Sequence, residues 1–231
     1  MKVFVINRKQ DSDRLQSVKR TCQQDPSLHV EVIEAIDGAS PDFELPIEIA
    51  SNSFIRNTPK TVACFMSHEL CWEAVANSSD AFSLILEDDS LIEPRFSEVE
   101  DELSAMEFDV CFVNVRAREY LRLSGLGDGK SYETVDNIVG QLAIGNSDLF
   151  EDKAHGGKLP PPGGDGYVIS KAGAQKLLKV AVRDGYPHHV DHWLFFRSMS
   201  DGSAVKAGTK KSIAQLLTVT DRHGDQLNGL I

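Results

Sequence analysis

The sequence predicts an α/β protein built around a mostly parallel sheet. Three observations carry this. Short apolar runs alternate with stretches of helical periodicity along the chain. No Gly-x-Gly-x-x-Gly follows the first run, and no full Walker motif, Gly-x-x-x-x-Gly-Lys-Ser/Thr, occurs, so an ordinary dinucleotide or P-loop site is excluded. One run, Ser83-Leu84-Ile85-Leu86, ends abruptly in the acids Glu87-Asp88-Asp89.

The elements follow in order. Residues 2–7 (Lys-Val-Phe-Val-Ile-Asn) read as a buried first strand. Arg8 to Gln24 has a helical stripe of Leu15, Val18 and Cys22, stopped by Asp25-Pro26. His29 to Ile36 reads as a second strand, ended by Asp37-Gly38. Residues 39–58, with Pro41, Pro46, Asn52 and Asn57, read as an irregular connection. Thr61 to Asn77 is a helix by the spacing of Val62, Phe65, Met66, Leu70 and Val75; its Trp72 reads as core. Ala81 to Leu86 is the strand that ends in acids.

Phe96 to Met106 reads as a helix and Asp109 to Val115 as a strand. Residues 124–164 hold nine glycines and the run Pro160-Pro161-Pro162, the composition of a hairpin or strands plus a mobile loop. Gly166 to Ser170 is a short strand. Lys171 to Val182 is a helix with Ala174, Leu177, Leu178 and Ala181 on one face. Tyr186 to Phe196 opens with His188-His189-Val190-Asp191 and continues as an apolar helix, and a last strand is expected at Leu216 to Val219. There is no internal repeat, and the chain is expected to form one domain over 1–231.

Composition narrows the function. With 231 residues, 41% of them hydrophobic, the chain can bury a sizeable core. Its net charge of -11 disfavours binding to nucleic acid or to an anionic membrane through the overall field. Met1-Lys2 runs straight into Val3-Phe4-Val5-Ile6, too short for a secretory apolar core. No apolar stretch approaches the ~20 residues that span a bilayer. The expected location is the cytoplasm, with peripheral contact at the inner membrane left open. Cys22, Cys64, Cys71 and Cys111 show no Cys-x-x-Cys pairing and are expected to be free, buried thiols. His188, His189 and His192 are poorly spaced for a closed zinc site.

Ligands of open α/β sheets bind beyond the carboxyl ends of the strands. Three acids at such an end repel one another, and a hard divalent cation offsets this while sharing its shell with phosphates. Glu87-Asp88-Asp89 thus reads as a metal–diphosphate site, or as a solvated acidic turn ahead of Glu93-Pro94. The local sequence leaves both readings open.

Four pieces in order point further: Val3-Phe4-Val5-Ile6-Asn7 followed by Asp13-Arg14; Ala63-Cys64-Phe65-Met66-Ser67-His68-Glu69 with Trp72-Glu73; Leu84-Ile85-Leu86-Glu87-Asp88-Asp89; and Gly166-Tyr167-Val168-Ile169-Ser170-Lys171-Ala172-Gly173-Ala174, then Val190-Asp191. Together they resemble glycosyltransferase family 25, the group that includes bacterial lipooligosaccharide galactosyltransferases, over roughly residues 1–195. The Ser-His helix followed by Leu-Glu-Asp-Asp is the specific part. Two places depart from the family pattern: Pro59-Lys60-Thr61-Val62-Ala63, and Asp165 before Gly166-Tyr167.

The resemblance implies a GT-A type, Rossmann-like α/β/α sandwich. It also implies a metal-dependent, inverting hexose transfer, with galactose from UDP-galactose as the expected donor. The acceptor would be a saccharide or glycolipid of lipooligosaccharide or a related glycan. Mn²⁺ or Mg²⁺ is the implied cofactor, with Asp89 as direct ligand and Glu87 as second ligand or partner of metal water or ribose. Asn7, Arg14, His68, Glu87 and Asp88 are the candidate donor-binding residues; Arg14 suits a phosphate, and His68 is either structural or in the site. Inversion needs a general base, for which Asp191 and Asp165 are the candidates; Asp191 also reads as a helix cap. The alternatives are a non-catalytic sugar-binding homologue and a Mg²⁺-dependent, phosphoryl-accepting regulatory domain. The latter normally carries its acid pair on the first strand, which here ends in Asn7-Arg8.

Overall fold

The computed structural model describes residues 1–46, 58–92, 100–105, 108–113, 133–134, 151–152, 157–158, 164, 166–186, 190–197, 207–209 and 217–219. Its strands are β1 (Lys2–Asn7), β2 (His29–Glu34), β3 (Phe82–Glu87), β4 (Ser90–Ile92), β5 (Val110–Phe112), β6 (Glu133–Thr134), β7 (Glu151–Asp152), β8 (Gly157–Lys158), β9 (Gly166–Ser170), β10 (Ala207–Thr209) and β11 (Leu217–Val219). Its helices are α1 (Ser12–Cys22), α2 (Pro59–Asn77), α3 (Glu100–Ser104), α4 (Lys171–Asp184) and α5 (Val190–Arg197).

The main sheet has seven strands in the order β2-β1-β3-β9-β5-β10-β6. Pairings β1–β2, β1–β3 and β5–β10 are parallel, whereas β9 is antiparallel to β3 and β5, and β6 is antiparallel to β10. Five strands therefore share one direction and two oppose it, which is the mostly parallel α/β sheet expected. Strands of such a sheet are covered on both faces and read as continuous apolar runs. Phe4, Ile6, Ile85, Tyr167 and Ile169 point to the face covered by α2, α4 and α5. Val3, Val5, Leu84, Leu86 and Val168 point to the other face, with Val18 and Cys22 of α1 and Leu103 of α3. Trp72 is core, as expected. It stacks on Trp193 at 5.6 Å and meets Phe65 edge-on at 5.7 Å.

Several boundaries differ from the sequence reading, each for a local reason. α1 starts at Ser12 rather than Arg8, because residues 8–11 form a turn: Asp11 N–H donates to Arg8 O, and the Arg8 guanidinium pairs with Asp11 at 2.6 Å. β2 ends at Glu34; Ile36 N–H leaves the sheet and donates to Ser67 Oγ at 2.9 Å. α2 starts at Pro59 rather than Thr61. Thr58 and Thr61 form a reciprocal cap, and proline suits the first helical position. β4 and β10 were not anticipated. β4 pairs antiparallel with β11, inside the expected strand at Leu216–Val219. Residues 39–46 carry no helix or strand, as expected.

The remaining expectations fall partly outside the described residues. Of the helix expected at Phe96–Met106, Glu100–Ser104 is described; of the strand at Asp109–Val115, Val110–Phe112. Within 124–164, β7 and β8 pair as an antiparallel hairpin and β6 joins the sheet edge, while Pro160-Pro161-Pro162 lies outside the described residues. None of the four cysteines is in a disulfide; Cys22, Cys71 and Cys111 are buried, but Cys64 is exposed, which corrects the expectation that it is buried. No helix among the described residues is long and apolar enough to cross a membrane.

Candidate active site

From β1 the chain passes through α1 to β2 on one side, then returns through α2 to β3 on the other. Such a reversal leaves a crevice at the carboxyl ends of the strands. Asn7 ends β1 and Glu87 ends β3, with Ile6 beside Glu87 in the register. A cleft of about 390 Å³ opens there. One wall is the loop Ala35–Gly38, the opposite one the Glu87–Asp89 turn, and between them lies the face of α2 that carries Lys60, Cys64 and His68. Two contacts lock the loop to the helix. Ser67 Oγ accepts from Ile36 N–H, and Gly38 lies so close to Pro59 and Lys60 that a Cβ there would overlap their backbone.

Arg14, in the first turn of α1, reaches the acidic cluster from the side. Its Nη2 lies 2.8 Å from Asp88 Oδ1 and 2.9 Å from Asp89 Oδ2. Asn7 Nδ2 donates to Asp88 Oδ2 at 2.8 Å and to Asp11 O at 3.0 Å. Asp88 is buried and held by two donors. Burial raises its pKa, and Arg14 and Asn7 oppose that shift. Asp89 is pushed up to about 7, by burial first and then by the Glu87 charge, with Arg14 acting in the opposite sense. The cluster therefore has a resident cation that adjacent sequence did not reveal.

His68 is wholly buried and yet borders the cleft. Its Nδ1 lies 3.0 Å from the Tyr167 hydroxyl, and its Nε2 lies 3.3 Å from Glu87 Oε1. Trp72 Nε1–H donates to the same hydroxyl at 2.7 Å. The two readings of His68, structural and in the site, are thus compatible.

Asp191, in the first turn of α5, accepts from Gly164 N–H at 2.7 Å through Oδ1. A Cβ on Gly164 would sit 2.9 Å from that oxygen and 2.9 Å from His68 Cε1. Asp191 and His68 therefore flank the same glycine. The second base candidate, Asp165, lies outside the described residues, as do His188, His189 and the side chain of His192.

The fold thus brings Asn7, Arg14, His68, Glu87, Asp88, Asp89 and Asp191 to one end of the sheet. Sequence reasoning missed three contributors. Cys64 shares a helical face with Lys60 and His68 at four-residue spacing, but that spacing does not show which face of α2 meets the cleft. Gly164 closes the Gly-rich segment just before β9. Tyr167 gave no signal, because an aromatic residue in a buried strand reads as core. Among the described residues, Cys64, His68 and Glu87 form the one group of three ligand types whose donor atoms lie within 4.8 Å of one another. Packing around the Cys64 sulfur, and then the charges of Glu87, Asp191 and Asp89, push its thiol pKa well up.

Residues 1–194 match the model of glycosyltransferase family 25 (LPS biosynthesis protein). The chain belongs to glycosyltransferase family 25. A protein of Acanthamoeba polyphaga mimivirus named "putative glycosyltransferase" is 33% identical over 101 residues, which are 42% of this chain and 31% of that protein. The family 25 chain thus aligns with about a third of the length of that relative. Among solved structures, the galactosyltransferase LgtC in complex with donor and acceptor sugar analogs is 9% identical, with a TM-score of 0.41, over 90% of this chain and 73% of that one. Mouse xyloside xylosyltransferase 1, apo form, is 8% identical, with a TM-score of 0.41, over 85% and 80%. Membership of family 25 rests on the match over 1–194, and the α/β architecture rests on the strand order given above.

Proposed function

We propose that this chain is an inverting glycosyltransferase that moves a hexose from a nucleotide-sugar donor to a saccharide or glycolipid acceptor, within a single domain. Galactose from UDP-galactose is the donor we favour, and a lipooligosaccharide-type glycan the acceptor. The observation that carries the reading is Glu87-Asp88-Asp89 at the end of β3, in a cleft at the point where the strand order reverses, in a member of family 25. A phosphoryl-accepting regulatory domain does not fit that membership.

The donor set suits a divalent cation. Glu87 and Asp89 offer hard oxygen ligands, and an Asp89 pKa of about 7 marks a site that gains from added positive charge. Glu87 and Asp89 would hold Mn²⁺ or Mg²⁺. Once bound, the ion supplies Lewis-acid stabilisation of a diphosphate leaving group.

The chain's own residues do the rest. Arg14 is charged and aimed at the same end of the cleft, where it offers a forked donor to phosphate oxygens. Asn7 keeps Asp88 fixed, so the turn presents Asp89 in one orientation. His68 and its partners define the floor beneath Glu87. Asp191, which shares Gly164 with His68 at the edge of the cleft, is the carboxylate to take the proton of an acceptor hydroxyl.

The test is a thermal-shift screen of nucleotide sugars with and without Mn²⁺, followed by a turnover assay with any stabilising donor. A ligand that binds the native state raises the melting temperature. UDP-galactose should stabilise the protein with Mn²⁺ and much less in EDTA. Equal shifts with and without metal would overturn the metal-dependent reading, and stabilisation by a different sugar would reassign the donor.

A further inference from the structure

We propose that Tyr167 is a positioning residue: its buried hydroxyl locks His68 into the tautomer protonated on Nε2, so the imidazole offers Glu87 a fixed N–H and withholds its lone pair from the cleft. The argument is one of donors and acceptors. The indole N–H of Trp72 can only donate, and it lies 2.7 Å from the Tyr167 oxygen. Tyr167 is wholly buried, so its hydroxyl hydrogen cannot turn to bulk water. Of the two partners of that hydroxyl among the described residues, only His68 Nδ1, at 3.0 Å, can accept it.

A nitrogen that accepts a hydrogen bond carries no proton. Neutral imidazole then bears its hydrogen on Nε2, which faces Glu87 Oε1 at 3.3 Å. The opposite tautomer would make the tyrosine oxygen a double acceptor and strand its hydrogen in the core. It would also set the Nε2 lone pair against a carboxylate oxygen. The first is a buried polar mismatch, which folded proteins avoid, and the second is a repulsion between lone pairs at the cleft edge.

Trp72, deep in the core, thus sets the chemistry of a nitrogen at the edge of the cleft. In this state His68 is neither the acceptor of a substrate proton through Nε2 nor an Nε2 metal ligand, so the Cys64–His68–Glu87 group cannot close on an ion without a tautomer change. Only the consequence for turnover rests on the glycosyl-transfer reading; the lock itself does not.

The experiment is a long-range ¹H–¹⁵N correlation of the histidine rings in the whole chain, without substrate or metal. The His68 signals are assigned by their loss in His68→Gln. The expected result is an unprotonated Nδ1 and a protonated Nε2. In Tyr167→Phe, the two nitrogens should move towards a tautomer average. A protonated Nδ1 in the wild-type protein overturns the proposal. So does an unchanged spectrum in Tyr167→Phe, which assigns the lock to Glu87 instead. Should Tyr167→Phe fail to fold, the wild-type spectrum decides alone. A protein that shows the tautomer but transfers no sugar keeps the proposal and loses the functional reading.

Discussion

Arg14 Nη2 lies 2.9 Å from Asp89 Oδ2, although 75 positions separate the two residues in sequence. Arg14 also pairs with Asp88 at 2.8 Å, so one cation offsets the charge of two of the three adjacent carboxylates. Arg14→Gln should cost about 1–3 kcal/mol at pH 8, because it leaves partly buried charges without their partner. The loss should shrink below pH 6, where Asp89 takes up a proton instead. Urea unfolding at the two pH values measures both; equal losses would show that Arg14 stabilises by packing alone.

Asp89 also sets a pH dependence. Its folded pKa, about 7, lies above the ordinary carboxyl value, so the folded protein binds this proton more tightly than the unfolded chain. The stability it contributes is fully present below the ordinary carboxyl range and is lost as pH rises towards 7. In metal-free protein, Asp89→Asn should flatten that part of the stability–pH curve. Identical curves for wild type and variant would contradict this origin.

Mn²⁺ should raise the melting temperature more at pH 8 than at pH 5, since a protonated Asp89 is a poor ligand. Asp89→Asn should abolish both the shift and turnover while the fold persists. Full activity of the variant, or of the wild type in EDTA, would remove the acidic turn from the mechanism.

Asp191→Asn separates base from clamp. Asparagine can still accept from Gly164 N–H through its side-chain oxygen but cannot take a proton. A base should cost roughly 10²–10⁴-fold in turnover, whereas a helix-end or clamp role alone should leave the rate near normal. Near-normal turnover would place the base elsewhere, with Asp165 next to be tested.

Gly164→Ala should damage the site with a modest effect on the core. Its Cβ would stand 2.9 Å from both Asp191 Oδ1 and His68 Cε1, so one of them must move. Turnover should fall by at least ~10-fold, with a small change in melting temperature. Unchanged turnover would show that Asp191 and His68 need no fixed spacing.

Much of this was legible in the sequence because apolar periodicity and turn residues are local properties. They placed β1, β2, α2, β3, β9 and α4 to within a few residues, and the sharp stop at Glu87-Asp88-Asp89 marked the end of the sheet where the cleft opens. They failed where long-range partners decide. β4 and β10 are three-residue strands that exist through pairing with β11 and β5, and no local pattern specifies such pairings. Cys64 read as another apolar helix residue until the position of β3 showed which face of α2 met the cleft.

The sequence by itself determined the α/β class, the family resemblance and the acidic strand end, since each is written in neighbouring residues. Only the tertiary structure decided how those acids are neutralised, which donors hold Asp88, and why His68 can be both buried and in the site. Charge pairing and hydrogen-bond direction act through space. Arg14 meets Asp89, Trp72 meets Tyr167, and Gly164 fits between His68 and Asp191 only after the chain has reversed its strand order around β1.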